Sequence, residues 1–107
     1  MTEVIVTPQE SGKTLHAQVG DVVVVRLPES PTTGFRWSIV GGPDDVLRLR
    51  DERFELAGGG GIGGGGTRIF RLAANHGGTA GVELKLWQEW EGEKSVTDRV
   101  RVTVHVD

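Results

Sequence analysis

Toward the C-terminus the chain changes character at every second residue. Val96, Val100, Val102, Val104 and Val106 share one parity, and Arg99, Arg101, Thr103 and His105 share the other. A strand turns successive side chains to opposite faces, so this stretch predicts one buried face and one wetted face. Phe35, Trp37 and Ile39 alternate in the same way with Arg36 and Ser38, and Val82, Leu84 and Leu86 with Glu83 and Lys85. Strands this one-sided need a second sheet laid against them, which predicts a sandwich instead of an open sheet.

Further period-two segments recur between Gly, Pro and Asp clusters, and no stretch holds a helical period beyond two turns. The predicted strands are Glu3 to Thr7, Thr14 to Gln18, Asp21 to Leu27, Phe35 to Val40, Arg53 to Ala57, Thr67 to Ala74, Ala80 to Trp87 and Val96 to Val106. Seven to eight short antiparallel strands in a chain of 107 residues fit an all-β, immunoglobulin-like β-sandwich. That length predicts a single domain spanning 1–107, large enough to fold without a metal or a disulfide. Cysteine is absent, which excludes a disulfide framework, a thiolate zinc site and a cysteine nucleophile.

Twelve basic residues stand against fifteen acidic ones, and neither sign forms a long block, so nucleic acid is a poor partner. The opening "MTEVIVTPQE" lacks the basic and apolar regions of a leader, and no run approaches the ~18 apolar residues that cross a membrane. A soluble monomer is expected, with no cofactor; its compartment is left open.

Residues 58 to 67 read "GGGGIGGGGT". Gly58, Gly60 and Gly63 satisfy the dinucleotide-binding pattern literally, and Gly61 to Thr67 comes near a phosphate loop, but both matches are cheap in a run of glycines. The lysine of a phosphate loop is missing, Arg68 follows the threonine, and "TRIFRLAA" alternates as a strand where a helix would have to begin. Composition alone leaves a flexible connection or linker. Hydrolysis is not supported either: His16, His76 and His105 are scattered, and no nucleophile elbow is present. Asp44 and Asp45 in "GGPDD" read as turn residues, not metal ligands.

"LPESPTTG" (27–34), the glycine run and "QEWEGEKS" (88–95) carry turn chemistry and are the candidate loops. Trp37 takes the buried parity and reads as core. Trp87 takes the outward parity, and Trp90 falls in an acidic loop, where it is either a binding hot spot or a cap folded back on the sandwich end.

"SPTTGF" (30–35), a glycine-rich segment ending "GGT" and a tryptophan in the last loop occur in the order and spacing of a known family. With "VGDVVVVRLPESPTTGFRW", "GGGGTRIFRL" and the closing hairpin, the chain resembles, across nearly its whole length, the chagasin-like inhibitors of papain-family cysteine peptidases. The resemblance implies a non-enzymatic sandwich that presents three loops at one end as a wedge, blocking the peptidase cleft reversibly without being cut. Ser30, Pro31, Thr32, Thr33, Gly34 and Phe35 would form the central loop. Within it Thr32 and Thr33 would lie against the catalytic cysteine and histidine, Gly34 would permit the turn, and Phe35 would anchor the root in the core. Gly58 to Gly66 would run along the non-primed cleft; Ile62, Gly63, Gly64, Gly65, Gly66 and Thr67 are its expected contacts, and Ile62 is the one side chain available for an apolar pocket. Gln88, Glu89 and Trp90 would meet the primed side.

The chain departs from the family at two places. Ser30 stands where asparagine is usual, and Gln88-Glu89-Trp90 replaces Arg-Pro-Trp, exchanging a rigid proline and a cationic donor for negative charge at Glu89, Glu91 and Glu93. The alternative is a sandwich that binds a protein or glycan without inhibiting anything. Placement of the Pro31 to Gly34 and Gly58 to Gly66 loops discriminates: a wedge needs them at one end, and opposite ends would favour the alternative.

Overall fold

The computed structural model describes residues 2–30, 32–41, 45–56 and 65–107. Among these, the strands in chain order are β1 (Glu3–Val6), β2 (Thr14–Ala17), β3 (Val22–Glu29), β4 (Arg36–Gly41), β5 (Leu47–Leu56), β6 (Gly66–Ala74), β7 (Gly78–Trp87) and β8 (Asp98–Val106). They form two sheets, ordered β1-β3-β6-β5 and β2-β8-β7-β4. The alternating residues close on one another as expected. Val25, Leu27, Phe70 and Leu72 from the first sheet meet Trp37, Leu84, Val100 and Val104 from the second, all essentially inaccessible.

The expectation of wholly antiparallel pairing needs correction. β3–β6, β5–β6, β4–β7 and β7–β8 are antiparallel, but β1 runs parallel to β3 and β2 parallel to β8. A short 3₁₀ turn at Pro8–Glu10 carries the chain from one sheet to the other. Parallel neighbours need such a crossover. The Glu10 carboxylate secures the turn by accepting the Thr7 hydroxyl at 2.6 Å and the Thr7 amide at 2.8 Å.

Most strand boundaries shift by a residue or two, and three differences are larger or more informative. β3 continues through Pro28 to Glu29, so "LPE" is strand; Pro28 lies beyond Val25, the last residue paired with β1, where a missing N–H breaks no ladder on that side. β5 begins at Leu47, well before Arg53, because a bulge between Leu49 and Asp51 shifts the parity and hides the alternation. Val96 lies outside β8, which starts at Asp98. Lys85, expected on the wetted face, is buried.

Register sets the useful end of the sandwich. Glu29 and Leu56 both oppose Gly66, and Arg36 opposes Trp87. The β3–β4, β5–β6 and β7–β8 connections therefore leave from the same end.

Candidate functional site

The central connection, 30–35, is folded onto itself. The Thr33 amide donates to the Ser30 carbonyl at 3.4 Å, and the Thr33 hydroxyl donates to that carbonyl at 3.1 Å while accepting the Phe35 amide at 3.3 Å. The Ser30 and Thr32 hydroxyls share a hydrogen bond of 3.3 Å. The Ser30 hydroxyl thus meets a side chain, and it is the Ser30 carbonyl that closes the turn. Thr32 and Thr33 are exposed, but the Thr33 hydroxyl is spent on the turn, leaving Thr32 as the freer side chain at the tip. Phe35 is half-buried at the loop root; Trp37, two residues on, is the one inserted in the core, with its indole N–H donating to the Pro28 carbonyl at 2.9 Å. Pro31 lies outside the described residues.

The β7–β8 connection is two short 3₁₀ turns, Glu89–Ser95, joined at Gly92 with φ of 75°. Ser95 ties its ends by accepting the Gln88 amide at 2.9 Å and reaching the Gly92 carbonyl at 2.7 Å. The Gln88 side-chain amide donates to the Thr33 carbonyl at 3.2 Å, joining this segment to the central loop. Trp90 leans on Gly34, where an added Cβ would sit 2.6 Å from the ring carbon Cη2, yet it remains 69% exposed. It is displayed beside the central loop and does not cap the sandwich.

Lys85 fixes the segment from the sheet through Glu93. Its ammonium sits 3.5 Å from the centre of the Trp87 ring and is bonded to Glu93, which also pairs with Arg99 at 3.1 Å. Glu91 pairs with Lys94 at 3.3 Å, so of the three glutamates added here two are compensated, and Glu89 projects into solvent. The Lys85 hydrogen bond, assisted by its charge and by Arg99, holds the Glu93 carboxyl below its ordinary range. A carboxyl lowered in the folded state stabilises above its unfolded value and loses that contribution as pH falls through the folded one. Acidification below the usual carboxylate range is accordingly expected to loosen 88–97 before the sandwich unfolds. Tryptophan fluorescence would show an early acid step in the parent and none in Glu93→Gln.

The glycine run enters β6 through Gly65, Gly66 and Thr67. Ile62, Gly63 and Gly64, with the rest of Ala57 to Gly64, lie outside the described residues. Gly66 is tightly enclosed: a Cβ there would fall 2.3 Å from the Phe54 ring and 2.4 Å from the Glu55 carbonyl oxygen. Two residues on, Arg68 forks onto Glu29 through Nε at 3.2 Å and a terminal nitrogen at 2.8 Å, with Glu29 buried and the Arg68 side chain mostly so. Glu29 also accepts the Trp37 amide at 2.7 Å, and the guanidinium stacks 5.2 Å from the Phe54 ring centre. The pair is not legible from residue type, since a glutamate beside "SPTTG" looks like turn polarity. Its signal was the parity: Glu29 continues the inward series Val23, Val25, Leu27.

Other chemistry finds no support. Among the described residues no group of three or more His, Asp or Glu could hold a metal. His105 accepts or donates to Thr79 at 3.0 Å and pairs with Asp107 at 3.2 Å, beside His16, but this exposed row lies at the sheet end remote from the three connections. Asp45 is exposed beside Arg48, and Asp44 lies outside the described residues. No helix among the described residues is long and apolar enough to cross a membrane.

Comparison with known proteins agrees with this geometry. The model of the chagasin family of peptidase inhibitors matches residues 16–104. Chagasin from Trypanosoma cruzi is 32% identical over 101 residues, 91% of this chain and 92% of its own. The crystal structure of the cysteine protease inhibitor EhICP2 from Entamoeba histolytica superposes with a TM-score of 0.89 at 26% identity, over 100% of this chain and 97% of that one. PbICP-C, solved in complex with falcipain-2, shares the fold with a TM-score of 0.73 at 10% identity over the full length of both chains.

Proposed function

This chain belongs to the chagasin family of peptidase inhibitors, and from that membership we propose that it blocks papain-like cysteine peptidases reversibly with the loop end of its sandwich. The observation that carries the reading is the convergence of three connections at one end, with Trp90 held exposed on Gly34. The wedge condition set by the sequence is met by the flanks Glu29, Leu56, Gly66 and Trp87, and the non-inhibitory alternative loses the arrangement that would have favoured it. In this proposal the central loop meets the catalytic cysteine and histidine, the glycine run follows the non-primed cleft, and Gln88 to Trp90 take the primed side. Papain-like clefts hold extended backbone for cleavage. A tip closed by the Ser30–Thr33 turn does not offer them such a segment, which accounts for inhibition without hydrolysis.

Titrating papain with the pure protein is expected to give inhibition competitive with a peptide substrate. Activity unchanged at micromolar inhibitor, for papain and for a cathepsin L-like enzyme, would overturn the reading. Ile62 is the only side chain between Gly58 and Gly66, and burying it in the apolar pocket is worth ~1.5–3 kcal/mol. Ile62→Ala is expected to raise the inhibition constant by about tenfold; an unchanged constant would remove Ile62 from the pocket.

A further inference from the structure

An open cavity of about 460 Å³ at the roots of the central loop and the glycine run is lined by Glu29, Thr33, Phe35, Gly65, Gly66 and Thr67. Glu29, on its lining, belongs to a charged assembly at the end of the inner faces, where the alternation would call for apolar side chains. Glu29 immediately precedes Ser30, Arg68 immediately follows Thr67, and the Trp37 amide lies just past Phe35. One carboxylate thus receives the far root of the glycine run, through the Arg68 fork, and the exit of the central loop, through the Trp37 amide.

We infer that Glu29 and Arg68 are positioning residues for inhibition, fixing the glycine run relative to the central loop; the inference rests on the inhibitory reading above. A buried ion pair is seldom more stabilising than apolar side chains of the same volume. It is far more directional, because a guanidinium fork fits a carboxylate in one plane and at one spacing. Arg68 is held from its other side as well, by the Phe54 ring and by Glu52 at 3.5 Å, and Phe54 in turn closes over Gly66. Ordering glycine backbone is entropically costly. Holding its root before encounter reduces what remains to be ordered in the complex.

The test uses Arg68→Met, Arg68→Lys and Glu29→Gln in the full chain, each alone and with Ile62→Ala, against papain. Arg68→Met is expected to raise the inhibition constant at least tenfold, mainly through faster dissociation, and Arg68→Lys to recover only part of the loss. Glu29→Gln keeps an acceptor for the Trp37 amide and provides a folded variant should Arg68→Met fail to fold. The decisive readout is coupling: in the Arg68→Met or Glu29→Gln background, Ile62→Ala should cost under threefold, because a misplaced arm no longer seats its side chain. An undiminished Ile62→Ala effect, with only the melting temperature lowered, would make the pair merely structural and overturn the inference. Amide exchange gives a readout independent of any peptidase. Faster exchange at Thr33 and Thr67 together in Arg68→Met supports the positioning role even if the parent spares papain, in which case the inhibitory reading is what fails. Unchanged exchange at both amides overturns the positioning role.

Discussion

Gly34→Ala is expected to weaken inhibition of papain by more than a hundredfold while leaving the sandwich folded. Gly34 has φ of 78°, a left-handed conformation that costs an L-residue about 1–2 kcal/mol. The added methyl would also fall 2.6 Å from Cη2 and 3.2 Å from Cζ2 of Trp90, so the ring must leave the place where it is displayed. Losing a seated tryptophan at an interface costs about 2 kcal/mol or more. If the free loop relaxes to escape the strain, binding has to restore it, and the two costs together then reach roughly 3–4 kcal/mol, a factor of several hundred in the inhibition constant. Progress-curve measurement of that constant, with circular dichroism to verify the fold, decides the matter. A constant within threefold of the parent would show that Trp90 binds from wherever it lies and that Gly34 does not place it.

Gly66→Ala is expected to act on stability first. Its methyl would meet the Phe54 ring at 2.3 Å and the Glu55 carbonyl at 2.4 Å. The ring can rotate, but the carbonyl belongs to the neighbouring strand, so β5 and β6 have to part at the loop end. Overpacking of this kind costs about 1–3 kcal/mol, and a backbone obstacle puts it near the upper limit. For a domain of this size that corresponds to a fall in melting temperature of roughly 10–20 °C. Calorimetry reads it directly. A melting temperature unchanged within error would mean that the two strands separate there without penalty.

Sequence and structure agree best where one face is apolar and continuous. β8, β7 and β4 could be read from alternation because their apolar parity runs unbroken through the core, the one irregularity of β4 falling at its end between Ile39 and Gly41. β5 could not: it is an edge strand on which only Leu47 is buried, and a bulge between Leu49 and Asp51 shifts its parity. Buried charge escaped for a related reason. Lys85 and Glu29 carry the residue types of a wetted face, and only the partners brought by the fold, Trp87 and Glu93 for one and Arg68 for the other, make their burial tolerable. The loop end was legible through the family resemblance of "SPTTGF" and its companions. Composition alone left the glycine run a linker. What neither could supply was contact between loops: the Gln88 side chain on the Thr33 carbonyl and the Trp90 ring on Gly34 join residues more than fifty positions apart.

The parallel pairing of β1 and β2 has an effect on how this protein can be attached to other things. Glu3 lies beside Val22, at the start of the strand whose far end is Glu29, and Val106 pairs with Gly78 and Ala17, far along β8 from Asp98. Both chain ends therefore emerge from the side of the sandwich turned away from Gly34 and Trp90. A tether, a fluorophore or a fused domain at either terminus leaves the three connections unobstructed, so the molecule can be anchored to a surface by its tail with its working tip facing outward.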